Sequence, residues 1–198
     1  MQLLKHLAII LIGAGICCVA CEKKVENEEK YFYFEGHSYL IVKQLKTWND
    51  ASFDARSRGG YLVQITSQEE QNAVYQGILE ADLIVDYVVA DGGDVPYIWI
   101  GATDKDQEGF WLWDDGKGNI LPFWLNGAPW GNEYNNWGTQ EPDNYTNEEL
   151  SPNGQNAAAI GLESWLIGPE TYGMKGQWND INKDNKIYYL VEFDEEIK

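Results

Sequence analysis

Residues 136–144 read Asn-Trp-Gly-Thr-Gln-Glu-Pro-Asp-Asn, and residues 177–180 read Gln-Trp-Asn-Asp, so two short runs place carboxylate and amide oxygens next to a tryptophan. A hard cation such as Ca²⁺ takes about 6–8 oxygen ligands from Asp, Glu, Asn and Gln side chains and backbone carbonyls. Neither run offers enough oxygens alone. The two runs therefore predict a split calcium site, and with it a fold that brings both segments together.

The first twenty residues have the order of an export signal. A basic start precedes an apolar stretch over 7–20, which is shorter than the ~20 apolar residues that span a bilayer. Ala20 directly precedes Cys21, which resembles a bacterial lipobox, although Cys18 stands where Leu is usual. We expect residues 1–20 to be a lipoprotein-type signal peptide and Cys21 to be acylated. Ordinary secretion and an uncleaved anchor are the alternatives.

These features predict where the protein works. An acylated Cys21 would make it an exported bacterial lipoprotein, anchored in a membrane at the outer membrane or cell surface. All three cysteines lie in or beside the signal, so the exported domain has none with which to form a disulfide. The net charge of −18 argues against a nucleic-acid partner, because phosphate binding needs clustered Lys and Arg. We expect the lipid anchor to be the only contact with the membrane.

The rest of the chain divides simply. Residues 21–30 are polar or charged and predict a short tether. Residues 31–198 are one domain's worth of chain, with no second linker. Between 126 and 156 the chain is rich in Asn, Gly and Pro without apolar periodicity, which predicts a long functional loop. The insert over 81–96 has no pattern that we can assign to an element.

Local signals predict two helices and several short strands. Thr47 and Ser67 each begin a capping sequence, and Gly59-Gly60 ends the first helix. The strand-like runs lie at 31–34, 37–42, 61–65, 97–101, 110–113, 157–162 and 186–193. Trp99, Trp111, Trp113 and Trp178 lie on or beside such runs, and half-buried strands direct such side chains into a core.

Six motifs occur in one order along the chain. They are Thr47–Ala51, Arg58–Ser67, Trp99–Ala102, Glu108–Trp113, Tyr134–Asp143 and Trp178–Asp180. Together, from about Phe34 to Phe193, they resemble a C-type lectin-like domain. The resemblance implies an α+β fold with two helices, two small antiparallel sheets and a long calcium-binding loop.

The resemblance also implies a site. Calcium would be held by Glu141, Asp143, Gln155, Asn179 and Asp180, and two neighbouring sugar hydroxyls would complete its coordination. Pro142 would follow a cis peptide bond. A ligand would contact Glu141, Asp143, Asn179 and Asp180 and stack on Trp137. Trp130 and Trp137 could instead be loop anchors.

Three departures from the family pattern bear on this site. Members that favour mannose-like sugars have Glu-Pro-Asn and galactose-type members have Gln-Pro-Asp, whereas Glu141-Pro142-Asp143 holds two acceptors. This leaves sugar preference open and could favour a ligand with its own donors, such as an amine. Gln155 replaces a glutamate, for which Glu148 or Glu149 could substitute. Ala55, Ala157, Lys183 and Val191 occupy the positions of the four family cysteines.

Three functions follow in order of preference. The first is a calcium-dependent carbohydrate-binding surface lipoprotein, a lectin or adhesin that binds a glycan or glycoprotein. The second is a protein-binding module, calcium-stabilised or calcium-independent. An enzyme ranks last: the paired carboxylates could act as in a glycosidase, but the domain's single histidine, His37, and the lack of a free thiol beyond Cys21 leave little for other chemistry. Asp104, Asp106 and Glu108 could form a second calcium site, or be solvent-facing charges.

Overall fold

The computed structural model describes residues 30–167 and 170–197. The predicted signal, Cys21 and the tether up to residue 29 lie outside the described residues. The elements follow one another in the order β1 (Tyr31–Phe34), β2 (His37–Lys46), α1 (Trp48–Ser57), β3 (Tyr61–Leu62), α2 (Gln68–Glu80), β4 (Tyr97–Thr103), β5 (Phe110–Asp114), β6 (Ile120–Leu125), β7 (Ala128–Pro129), β8 (Ala157–Gly161), β9 (Trp165–Ile167), β10 (Glu170–Gly173), β11 (Trp178–Ile181) and β12 (Ile187–Phe193).

Both predicted helices are present and begin at the predicted caps. The Thr47 hydroxyl accepts a hydrogen bond from the Asp50 backbone N–H, and the Ser67 hydroxyl accepts one from Glu70. Each cap satisfies a backbone donor that the first turn of a helix leaves free. Neither helix is long and apolar enough to cross a membrane, and this holds throughout the described part of the chain.

The strands form one branched sheet and one separate hairpin. The main path runs β1-β2-β12-β4-β5-β6-β7, β3 pairs with β12, and β8 joins β4 to β11. The last strand lies antiparallel to β2 and parallel to β4, with Tyr188 opposite Ile98. This parallel pair connects the two groups of antiparallel strands. The predicted α+β class and C-type lectin-like fold are confirmed.

The core has two sides, because successive residues of a central strand point to opposite faces. On β4, Trp99 packs with Trp48 and Trp165, whereas Ile98 and Ile100 face the other cluster. Trp99, Trp111, Trp113 and Trp178 are fully buried, as predicted. Burying a large apolar side chain contributes about 1.5–3 kcal/mol. Ala55, Ala157 and Val191 are buried in the same core. They stand at three of the positions where the family has cysteines, and here apolar side chains pack at those positions.

The long loop is tied to β11 by backbone hydrogen bonds. The Trp178 N–H donates to the Asn136 carbonyl at 2.9 Å, and the Gly138 N–H donates to the Trp178 carbonyl at 2.8 Å. These bonds fix the segment that leads to Glu141. The loop also contains β7, and the β9–β10 hairpin follows it. The sequence analysis did not predict either element.

Candidate functional site

The two oxygen-rich motifs, at 136–144 and 177–180, meet in the folded chain. Backbone N–H groups of Asp143 and Asn144 donate to the Asp180 carboxylate at 3.1 and 2.9 Å. Glu141, Asp143 and Asp180 each offer a carboxylate oxygen, and these oxygens all lie within 4.8 Å of one another. The Glu141-Pro142 peptide is cis, as the resemblance implied. We call Glu141, Asp143 and Asp180 the pocket cluster.

Two oxygens in and beside the pocket cluster are buried without a hydrogen-bond partner. Glu141 Oε1 accepts a bond from the Trp165 indole N–H at 3.0 Å, but Oε2 has no partner. The Asn179 amide donates to the Tyr97 hydroxyl at 2.9 Å, which leaves its Oδ1 without a partner. A buried acceptor without a partner costs about 1–3 kcal/mol. A hard cation would satisfy both oxygens, so the residues present fit Ca²⁺.

The electrostatics of the cluster point the same way. Burial, with the negative charge of Asp143 as a further cause, raises the pKa of Glu141 to about 7. Burial also holds the pKa of Asp180 well above its usual range, with the charge of Glu141 as the next cause. Carboxylates placed this close repel each other when ionised. A bound divalent cation would remove that repulsion.

The cluster opens into a cavity of about 210 Å³. Its walls come from four parts of the chain, which are the long loop, β9, β11 and the insert over 81–96. The residues that line it are Ala90, Asp91, Gly92, Gly93, Glu141, Asp143, Tyr145, Gln155, Trp165 and Asn179. Asp143 lies at the solvent edge, whereas Glu141 and Asn179 are buried.

The insert reaches this cavity through Asp91. A short 3-10 turn, Ala90–Gly92, buries the Asp91 side chain. The Asp91 carboxylate accepts from the Asn182 backbone N–H at 2.6 Å and from the Asn185 amide at 2.7 Å. The Gln155 amide donates to the Asp91 carbonyl at 2.8 Å. Asp91 thus connects the insert to the long loop and to the turn after β11.

Gln155 lines the cavity, but its oxygen already has a partner. Gln155 Oε1 accepts from the Tyr145 backbone N–H at 2.8 Å, and Nε2 is directed to Asp91. This orientation makes Gln155 a support for the loop. Glu148 and Glu149 are exposed and do not line the cavity, so they do not take the place of the missing glutamate.

Trp165 forms the aromatic wall of the cavity. The β9–β10 hairpin brings its ring against the long loop at Gly138, where an added Cβ would lie 2.7 Å from the ring. Only a glycine allows this approach. Trp165 is buried and its indole N–H holds Glu141 in place.

Trp137 lies elsewhere. It is buried against Trp111, Phe123 and Trp178, and it does not line the cavity. In this conformation its ring is part of the core and cannot stack on a sugar. Trp130 is exposed and packs edge-on against Phe110.

Asp104 is buried, so the expectation of a solvent-facing charge is wrong for this residue. Its carboxylate accepts from the Gly109 backbone N–H at 2.8 Å. Asp106 and Glu108 are exposed. Asp104 therefore caps the turn before β5.

Sequence reasoning missed Asp91, Tyr97 and Trp165 as parts of the site. Asp91 lies in the insert without a pattern, and Tyr97 and Trp165 resemble ordinary core aromatics. Their partners are 24 to 94 residues away along the chain. No local signal in the sequence marks such contacts.

The chain matches one family of known proteins over most of its length. The family described as "Lectin C-type domain" matches residues 44–193, so the chain belongs to the C-type lectin domain family.

Relatives of known sequence come from distant organisms. The perlucin-like protein of Mytilus galloprovincialis is 29% identical over 170 residues, which cover 85% of this chain and 84% of that protein. The C-type lectin domain family 4 member F of Mus musculus is 27% identical over 168 residues, which cover 81% of this chain and 23% of that protein. Halomucin of Haloquadratum walsbyi is 28% identical, and the match covers 84% of this chain and 2% of that protein. The chain therefore spans a small part of several of its relatives.

Solved structures agree on the fold. The mouse scavenger receptor C-type lectin carbohydrate-recognition domain matches with a TM-score of 0.57 and 23% identity, over 84% of this chain and 96% of that chain. Human lithostathine matches with a TM-score of 0.55 and 18% identity, over 82% and 95% of the two chains. At such identities the likeness establishes the fold alone.

Proposed function

We propose that this protein is a calcium-dependent lectin that binds a glycan or glycoprotein at the pocket cluster. The observation that carries the proposal is the pair of buried oxygens without partners, Glu141 Oε2 and Asn179 Oδ1. A binding site for a neutral ligand alone would leave three clustered carboxylates without compensation. A binding role is proposed in preference to an enzymatic one.

Glu141, Asp143, Asn179 and Asp180 would hold the ion. Bound calcium would supply open coordination positions for two neighbouring hydroxyls of a sugar. Each hydroxyl proton would then be donated to a carboxylate of the cluster, which forms a strong, charge-assisted hydrogen bond. Gln155 would contribute by fixing Tyr145 and the loop around it. Trp165 would orient Glu141 through its indole N–H.

Support for the glycan part comes from the family and from one neighbour. A cow CD23 carbohydrate-recognition domain, whose structure was obtained in the presence of a GlcNAc2Man3 oligosaccharide, matches with a TM-score of 0.52 and 22% identity over 82% of this chain and 92% of that chain. We propose a carbohydrate ligand for this chain as well.

Thermal unfolding of the purified protein across a calcium titration, with magnesium as control, tests the metal. A ligand that binds only the folded state stabilises it by about 2.7 kcal/mol at a hundred times its Kd. We expect a saturable rise in melting temperature with calcium and little with magnesium. Asp143→Ala and Asn179→Ala should each abolish the rise and still fold without calcium. Calcium responses in both variants equal to that of the parent would refute the site.

A glycan screen in the presence and absence of calcium then tests the lectin. One alternative keeps support from the sequence: a protein-binding module, because Glu141-Pro142-Asp143 has two acceptors and Gln155 is neutral. A calcium response with no glycan bound at all would favour that alternative.

We also propose that Cys21 carries a lipid that anchors the protein at a bacterial membrane or cell surface. The support is the order of charged, apolar and small residues before Cys21. Labelling with a radioactive fatty acid and fractionation of membranes test this. Cys21→Ala should remove the label and release the protein from the membrane fraction. A labelled Cys21→Ala variant would refute the assignment.

A further inference from the structure

We propose that the sugar bound at this site carries a protonated amine, so that the ligand is an unacetylated amino sugar. This inference rests on the proposed calcium-dependent lectin function and adds the chemical class of the ligand. It follows from a count of donors, acceptors and charges around the cavity.

The cavity offers more acceptors than donors, and the unused donors on its lining side chains are the Tyr145 hydroxyl and one hydrogen of the Asn179 amide. The Trp165 indole N–H is used by Glu141, and the Gln155 amide is used by Asp91. The Asn179 amide already donates one hydrogen to Tyr97. A neutral sugar hydroxyl needs a donor for its second lone pair, and this cavity supplies few. An ammonium group has three donors and no lone pair, so it does not need a donor from the protein.

The charge balance leads to the same ligand. Asp91, Glu141 and Asp143 line the cavity and Asp180 lies behind it, which gives four carboxylates. None of the described residues that line the cavity is Lys, Arg or His. One Ca²⁺ would neutralise two of the four charges. The remaining negative charge favours a ligand that brings positive charge, since interactions between charges strengthen as water is excluded.

The cavity volume limits the size of the ligand. At about 210 Å³ it is smaller than the ~300–1,000 Å³ of pockets for drug-sized ligands. One sugar residue fits this space better than an oligosaccharide buried along its length. We therefore expect recognition of a single terminal amino sugar, whose hydroxyls meet calcium and whose amine meets the carboxylate at the cavity mouth, Asp143.

Matched sugars test the inference on the full chain, with calcium saturation first established by the thermal shift. Glucose, N-acetylglucosamine and glucosamine share one ring and differ only at one position. The acetylated form keeps the N–H donor and loses the charge, so it separates hydrogen bonding from charge. The galactose and mannose series are run in the same way. We expect the amine of at least one series to bind about tenfold or more tightly than both neutral members, measured by calorimetry near neutral pH.

Two further observations sharpen the test. The preference should shrink when ionic strength rises from about 0.01 M to 0.15 M, because screening acts on charges at the cavity mouth. Asp143→Asn removes one charge and adds an amide donor, so the preference for the amine should fall about tenfold at calcium saturation. Asp94→Asn makes the same change at an exposed position of the insert outside the cavity lining and should leave the preference unchanged.

Each contrary result has a distinct meaning. Neutral members that bind as tightly as the amine in every series would overturn the inference and leave the lectin proposal intact. Ethylamine that binds as tightly as the amino sugar would overturn the role of the sugar ring. No sugar bound despite a calcium shift would overturn both the inference and the lectin proposal.

Discussion

Two groups of carboxylates with buried members lie in this domain, and they differ in what surrounds them. The pocket cluster holds Glu141, Asp143 and Asp180 at the edge of a cavity. The second group, which we call the Glu70–Glu192 pair, has Glu70 on α2 and Glu192 on β12, and both line one pocket together with His37 and Tyr39 of β2. Both Glu70 and Glu192 are buried, and burial raises the pKa of Glu192 to about 7.

In the Glu70–Glu192 pair every carboxylate oxygen has a donor from the protein. Glu192 accepts from the His37 ring at 2.8 Å, from the Tyr61 hydroxyl at 3.0 Å and from the Gln64 backbone N–H at 2.9 Å. Glu70 accepts from the Tyr39 hydroxyl at 2.8 Å and from the backbone N–H and hydroxyl of Thr66 at 2.8 and 3.2 Å. The pocket cluster and its neighbour Asn179 leave two buried oxygens with none.

This difference separates a structural role from a binding role. A buried acid that is fully hydrogen-bonded stabilises its surroundings without a ligand. A buried carboxylate oxygen without a hydrogen-bond partner destabilises the folded state until a ligand binds it. Acidic character alone does not distinguish the two groups, whereas a count of donors does.

Glu192→Ala should have the largest effect. The substitution leaves the Gln64 backbone N–H without its acceptor and removes one partner of the His37 ring, which water can reach, whereas the Tyr61 hydroxyl keeps Asp194. An unsatisfied buried donor costs about 1–3 kcal/mol, and the cavity left by the lost side chain adds to this. We expect a loss of about 3 kcal/mol in the free energy of unfolding, with the increment due to calcium unchanged. Denaturant titrations with and without calcium measure both. Glu196→Ala, at an exposed position after the end of β12, is the control. A loss below about 1 kcal/mol would contradict a structural role.

Glu141→Gln should act in the opposite way. Without calcium its stability should equal or exceed that of the parent, because one of three mutually repelling charges is gone and Trp165 keeps an acceptor. The calcium increment, about 2.7 kcal/mol at a hundred times Kd, should vanish. Glu148→Gln, on the exposed part of the same loop, is the matched control and should keep the increment. A variant that retains calcium stabilisation would place the ion elsewhere.

Stability should depend on pH with a sign set by the raised pKa values. The pKa of Glu192 is about 7 in the folded state and 4.5 by its usual value, so the folded state holds the proton more tightly between these values. Stability should therefore fall as pH rises from 4.5 to 7, by at most about 1.4 kcal/mol per pH unit for each such carboxyl.

Glu141 contributes to the same trend only while calcium is absent, because a bound cation favours its ionised form. Thermal unfolding at several pH values should show that calcium flattens one part of the slope and Glu192→Gln another, while Asp104, whose pKa burial also raises to about 7, contributes a part that neither change removes. A slope that calcium removes completely would show that Glu192 does not titrate in this range.

Asp91→Asn should have the smallest effect. It weakens the acceptor for Asn182, Asn185 and Gln155 and so loosens the loop around the cavity. We expect calcium affinity to fall about three- to tenfold, roughly 1 kcal/mol, with faster hydrogen exchange in the long loop. Asp94→Asn is the control on the same insert. Unchanged affinity and exchange would show that the insert does not support the site.

Much of the fold followed from the sequence because its signals are local. Thr47 and Ser67 predicted helix starts through bonds that span three residues, and both bonds are present. Alternation along β4 predicted a buried Trp99. The resemblance to one family predicted that the motifs at 141–143 and 179–180 lie together in the folded chain. Acylation of Cys21 and the tether over 21–30 stay predictions, since Cys21 and the tether up to residue 29 lie outside the described residues.

The sequence by itself determined the class of domain, the caps of its helices and the acidic residues of the site. The tertiary structure decided which oxygens of those residues remain without a partner. Trp165, which follows the long loop, lines the cavity, whereas Trp137, which lies within the loop, packs in the core. Asp91 reached the site from an insert without a pattern. Such outcomes depend on contacts between distant segments, and periodicity and capping, which act within a few residues, carry no information about them.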